Sequence, residues 1–218
     1  MQKISFTEKA KAFTLIELLI VVLIIAILAA IAVPNFLEFQ TRAKVSRVKS
    51  DMRSVVVAIE ALRVDTDVML VDFWDDDTAA GQARLRDIFK LPNQTQDRRG
   101  GMIGVLVPLT TPIAYMTTIP LDPFAVTPPT YPNLFASDVL PPFVFMYIDE
   151  DPGIPVHPND ANWGLDKDQY ILTSPGPDTQ SIPFGQGVNV LYDPTNGTIS
   201  AGMIIYSNVD QFDFIPFQ

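Results

Sequence analysis

The feature that most restricts this chain is a stretch near its start with no charge to solvate. From Leu18 to Leu37 there are 20 residues without an Asp, Glu, Lys or Arg, the length of helix needed to cross a hydrocarbon layer about 30 Å thick. The helical pattern does not stop there. Val45, Val48, Met52, Val55, Ile59 and Leu62 recur three or four residues apart, with Arg42, Lys49 and Arg53 on other faces, the spacing of an amphipathic helix. A helix over residues 13–62 would be about 75 Å long at ~1.5 Å per residue, far more than a membrane requires. Its second half is therefore expected outside the bilayer. Pro34 is expected to bend it, because proline removes one backbone hydrogen bond and its ring crowds the preceding turn. A buried soluble helix is excluded by length. Two ordinary alternatives remain: a signal anchor, and a secretory signal with Ala30-Ile31-Ala32 as its cleavage site. Against the second, Glu17 would lie in the apolar region of that signal, where a charge is costly.

Charge excludes one class of partner. The chain of 218 residues has a net charge of -10, and the leader, residues 1–12, sets Lys3, Lys9 and Lys11 against Glu8. The rest is thus more acidic than the average, and a nucleic-acid binder that neutralises phosphates is not expected. With no cysteine, disulfides, thiolate metal sites and cysteine catalysis are excluded. The single histidine, His157, sits in Pro155-Val156-His157-Pro158 and reads as a loop residue rather than a general base. No phosphate-cradling glycine loop, nucleophile elbow or paired-histidine motif is present, so no catalytic residue is named and an enzyme is not expected.

After Leu62 the chemistry changes. Asp65, Asp67, Asp72, Asp75, Asp76 and Asp77 read as a solvated acidic patch ahead of a short helix from Ala79 to Leu91. Beyond Pro92, prolines and glycines punctuate apolar runs: Phe143–Ile148, Tyr170–Thr173, Val188–Tyr192 and Met203–Tyr206 read as strands. Asp193-Pro194-Thr195-Asn196-Gly197 has turn chemistry and is expected to close a hairpin onto the last of these. Phe143, Phe145 and Tyr147 are expected to pack on the long helix, with Trp163 and these aromatics as a binding face the lesser reading. The fold class is α+β: a long protruding N-terminal helix packed through its outer half on a small antiparallel sheet with proline- and glycine-rich loops. The organisation is a leader over 1–12, a transmembrane helix over 13–37, its amphipathic continuation over 38–64, and a globular domain over 65–218.

A basic leader ending Lys11-Ala12, followed by Phe13-Thr14-Leu15-Ile16-Glu17 and an uninterrupted apolar run to Pro34, resembles the cleavage and methylation segment of type IV pilin-like proteins. The resemblance covers about Lys9 to Leu62. It implies that a prepilin peptidase cuts between Ala12 and Phe13 on the cytoplasmic side and that the new Phe13 amine is methylated. It departs from the family at Ala12, where glycine is usual. It further implies assembly through the helix, with Glu17 pairing with the Phe13 amine of a neighbour and Pro34 within the assembly segment. Implied partners are copies of the same chain, the peptidase, a membrane assembly platform and the lipid bilayer. Implied localisation is a single pass through the bacterial cytoplasmic membrane, the globular domain outside the cytoplasm. The expected function is a structural subunit of a type II secretion pseudopilus or type IV pilus-like filament; the alternative is a minor tip module that recognises a secreted substrate or surface.

A second resemblance lies in Ile119-Pro120-Leu121-Asp122-Pro123-Phe124 and in Tyr170-Ile171-Leu172-Thr173-Ser174-Pro175-Gly176-Pro177-Asp178, similar to type II secretion major pseudopilins, in which a comparable stretch precedes a calcium-binding loop. The resemblance implies calcium near Asp178, with the Leu172 carbonyl, Ser174 and Asp193 as further ligands. This chain departs from the pattern in Thr179–Gly187, which carries no carboxylate. The competing reading makes Asp178 and Asp193 plain turn formers.

Overall fold

The computed structural model describes residues 13–72, 75, 78–91, 103–125, 144–154, 165–179, 191–193, 195 and 202–209. Ala12, Phe143, His157, Trp163, residues 180–190 and most of the expected 193–197 turn lie outside them. The chain separates into two compact units, residues 1–40 and 41–218.

Within the first unit, helix α1 (Leu15–Thr66) begins. It runs unbroken through Pro34, and every large apolar side chain from Leu15 to Leu28 is exposed. A helix apolar on all sides and unburied needs an apolar surrounding to be stable.

Within the second unit the periodic stripe becomes the core. All six residues named from spacing, Val45, Val48, Met52, Val55, Ile59 and Leu62, are buried, joined by Val56 and Ala58. The helix stops at Asp67, whose φ of 56° lies in the left-handed region and whose N–H reaches back to Arg63 O at 2.8 Å. Aspartate tolerates this conformation better than most residues. Helix α2 (Ala79–Asp87) starts from Thr78, whose Oγ1 accepts the Gly81 N–H at 3.0 Å, a normal N-cap. It ends four residues before the expected Leu91; beyond it Lys90 turns left-handed at φ 58° and the Leu91 N–H bonds back to Leu85 O at 2.8 Å. A single turn, α3 (Ile103–Leu106), leads into a 3₁₀ turn at Val107–Leu109.

Three strands follow, β1 (Met146–Asp149), β2 (Tyr170–Ser174) and β3 (Ile204–Ser207). They form an antiparallel sheet in the order β1-β2-β3, with Tyr147 opposite Leu172 and Leu172 opposite Tyr206. Phe145, Tyr147, Tyr170 and Leu172 share one core cluster with the α1 stripe, while Met146, Ile148 and Ile171 form a second cluster with Met203. The expected packing of Phe145 and Tyr147 with the helix is thus found. Both faces of β1 and β2 are covered, which explains why these strands read as continuous apolar runs rather than alternating ones. The chain is α+β, a long N-terminal helix with a three-stranded antiparallel sheet.

Two expectations need correction. Leu191 and Met203 pair through an isolated parallel bridge, not as an antiparallel hairpin, and two strands running the same way cannot be joined by a tight turn. The acidic patch is not uniformly solvated: Asp65 and Asp67 are exposed, but Asp72 and Asp75 are buried.

Candidate functional site

The N-terminal segment is built around Thr14 and Glu17. Thr14 precedes the first helical residue, and its Oγ1 accepts the Glu17 N–H at 3.3 Å. The Glu17 carboxylate answers by accepting the Thr14 N–H at 2.8 Å and the Thr14 hydroxyl at 2.7 Å. This is a reciprocal capping box, in which two backbone donors of the first turn, otherwise unsatisfied, are both paired. Threonine three residues before glutamate was visible in the sequence, but only the charge of Glu17 was read there. The carboxylate therefore has a local role in starting α1, besides any role toward a neighbouring chain. Phe13 is exposed beside it. Pro34 lies 17 positions further along the same helix.

The residues implied for calcium fall in three places. Leu172 and Ser174 belong to the buried central strand β2, and Ser174 Oγ accepts the Gly176 N–H at 3.4 Å. Asp178 lies in the turn just after it. Asp193 is exposed, and its Oδ1 accepts both the N–H and the hydroxyl of Thr195, at 2.8 and 2.7 Å; these bonds hold its carboxyl below the usual range. That is the geometry of a side-chain-closed turn. Gly176 needs to be glycine twice over. Its φ is 78°, and a Cβ there would stand 2.3 Å from the carbonyl oxygen of Gly202. Asp122, which sequence reasoning did not single out for a role, is buried near Ser174. Its Oδ1 accepts the Phe124 N–H at 2.9 Å, and burial raises its carboxyl despite the Ser174 hydroxyl and neighbouring backbone.

A second polar junction ties α1 to the sheet. The Tyr170 hydroxyl donates to Glu60 Oε1 at 2.6 Å, while Arg63 stands 3.5 Å from Glu60 and 3.7 Å from Asp168. Burial, then the Glu60 bond, raises the Tyr170 phenol, so it remains a donor at every physiological pH.

Residues 8–33 match the family described as the prokaryotic N-terminal methylation motif. The chain is 53% identical over 53 residues to the type IV major pilin protein PilA of Myxococcus xanthus, covering 24% of each. It is 39% identical over 77 residues to the fimbrial protein EcpB of Eikenella corrodens, 35% of this chain and 48% of that one. To the type II secretion system core protein G of Pseudomonas aeruginosa it is 40% identical over 58 residues, 27% of this chain and 41% of the relative. The matches thus span from about a quarter to about half of these relatives' length. No solved structure matches the chain. The relatives are pilins, a fimbrial protein and a secretion-system core protein, not enzymes. In its methylation motif and the apolar helix that begins within it, the N-terminal part of this chain is similar to type IV pilins and to a type II secretion core protein.

Proposed function

We propose that the chain is a structural filament subunit of the type IV pilus or type II secretion pseudopilus kind, polymerised through the first part of α1. The observation that carries this reading is a capped, exposed apolar helix that begins within a methylation motif. Such a surface is stable only in lipid or against other copies of the same helix. The precursor sits in the bacterial cytoplasmic membrane by this helix, globular domain outside. A prepilin peptidase removes residues 1–12, and an assembly platform moves the mature chain from lipid into the filament. Glu17 then meets the Phe13 amine of a neighbour, a charge-assisted bond that sets subunit register in an apolar bundle.

The capping box makes the test sharper. Glu17→Ala removes both the charge and the cap, whereas Glu17→Gln keeps an acceptor for the cap and removes only the charge. Filament yield from cells that supply the assembly machinery should fall for both variants, with the membrane-inserted precursor unaffected in Glu17→Gln. Full yield from Glu17→Gln would reduce the residue to a helix cap. Intact mass should show a mature chain beginning at Phe13 and carrying one methyl group; a chain beginning at Val33 would establish the secretory-signal reading. A protein that stays substoichiometric in purified filaments would be a tip module.

A further inference from the structure

We propose that Asp72, Asp75 and Asp149 together form a binding site for a hard divalent cation, with calcium the best fit. They come from two distant segments, Asp72 and Asp75 from the connection after α1 and Asp149 from the end of β1. Each offers one carboxylate oxygen, and those oxygens all lie within 4.8 Å of one another. Two oxygens bound to one calcium at about 2.4 Å can be at most ~4.8 Å apart, so one ion can reach all three. The donor set is oxygen only, which suits calcium, magnesium or manganese rather than softer metals. A buried site replaces most of the ion's water, which calcium tolerates and magnesium resists.

Proximity of acids alone would not be enough. The separate observation is the state of the groups on β1. Asp149 is 2% exposed, and among the described residues neither of its carboxylate oxygens has a hydrogen-bond partner. Two residues earlier on the same face of the strand, the buried Tyr147 hydroxyl is likewise without a partner. Buried polar groups are almost always satisfied, and a carboxylate with no donor on either oxygen is among the most costly exceptions. The cation within reach is already committed: the Arg84 guanidinium forms a two-pronged pair with Asp151, whose second contact is 3.0 Å, and also donates to Met69 O at 3.2 Å. It weakens the repulsion on Asp75 and Asp149.

The surrounding backbone holds the site in place. Asp72 Oδ1 accepts the Asp75 N–H at 2.9 Å. The Asp75 carbonyl is fixed from the other side by the Thr78 N–H at 3.1 Å and the Thr78 hydroxyl at 2.7 Å, and Thr78 in turn caps α2. Gly81 allows this close approach, because a Cβ there would lie 2.1 Å from the Asp75 carbonyl oxygen. Burial and the mutual repulsion of the group push the Asp75 carboxyl up to about 7 and the Asp149 carboxyl well above its usual range. Either protons or a cation must therefore neutralise the cluster, and the test separates the two.

The full-length chain in non-ionic detergent, freed of metal with EGTA, is titrated with calcium while its melting temperature is followed. A ligand that binds only the folded state raises that temperature progressively with concentration. Terbium, excited through tyrosine, reports the same site, with calcium as competitor. The melting temperature should rise with calcium and less with magnesium, and Asp149→Asn and Asp75→Asn should each weaken calcium binding at least tenfold. Asp149→Asn should retain the wild-type near-ultraviolet circular dichroism in EGTA, since it replaces an unpaired acid with a neutral isostere. Tyr147→Phe should dim the terbium signal. A melting temperature indifferent to all three cations would mean that protons hold the cluster, and would overturn the proposal. So would a calcium response that survives in both aspartate variants but disappears in Asp178→Ala, which would place the ion in the loop after β2. Equal responses to magnesium and calcium would overturn the choice of calcium.

Discussion

Replacing Arg84 by methionine removes one half of the most enclosed ion pair among the described residues. The Arg84 side chain is 9% exposed and that of Asp151 3%, so neither charge is relaxed by water as a surface pair would be. The variant preserves much of the apolar stem and keeps for Asp151 the Gly153 N–H, at 2.6 Å, as a donor. It also removes the cation that offsets repulsion at Asp75 and Asp149 and frees the Met69 carbonyl. Removing one member of a buried pair costs about 3–5 kcal/mol. With a urea slope of about 2 kcal/mol/M, the unfolding midpoint should fall by roughly 1.5–2.5 M. The assay is urea unfolding of the full-length chain in detergent micelles with EGTA present, read by near-ultraviolet circular dichroism. Two internal controls follow from the same geometry. Arg84→Met with Asp151→Leu should recover most of the loss, since exchanging a buried pair for apolar side chains is often near neutral. The loss from Arg84→Met should also shrink in acid, where protons neutralise Asp75 and Asp149, whose carboxyls are raised by burial. A single-variant loss below about 1 kcal/mol, the range of exposed pairs, would refute the reasoning.

Ile59→Ala, at a fully buried position of the α1 stripe, should cost about 2–5 kcal/mol by the same unfolding assay, while Val57→Ala on the exposed face should change stability by less than about 0.5 kcal/mol. Gly176→Ala should lower the melting temperature by more than any other single methyl addition in the turn, because it meets both a positive φ and the Gly202 carbonyl. Tyr170→Phe should cost about 1 kcal/mol, the value of one hydrogen bond, since the Glu60 carboxylate left behind can still be hydrated. Asp122 should contribute a slope with pH. Its carboxyl is raised by burial, so the folded chain keeps a proton that the unfolded one has lost above about pH 4. Stability from this group is thus full below that pH and declines as pH rises through the raised value, and Asp122→Asn should flatten the decline.

The parts of the fold that were legible in sequence are those set by short-range periodicity. Val45 to Leu62 announced the buried face of α1 because a helix brings residues three and four apart onto one side. The runs at 143–148, 170–173 and 203–206 found all three strands to within a few residues, since both faces are covered and the strands are apolar throughout. What could not be read was anything created by contact between distant segments. Asp72 and Asp75 look like solvent-facing residues until Asp149, at the end of a strand more than 70 positions away, is brought against them. The pairing of Arg84 with Asp151 is hidden for the same reason. The capping box is a different case, since Thr14 and Glu17 carried the pattern plainly. There the membrane argument for the charge of Glu17 displaced the simpler reading of its hydrogen bonds.

That cap has one further consequence. All of its bonds join Thr14 to Glu17, with the first backbone bond of the helix running from the Leu18 N–H to Thr14 O at 3.2 Å. Every atom involved lies on the C-terminal side of the bond between Ala12 and Phe13. Cutting there would remove twelve residues and leave each of these bonds in place. If a leader is cut away there, the new amine would emerge beside a carboxylate already oriented by Thr14.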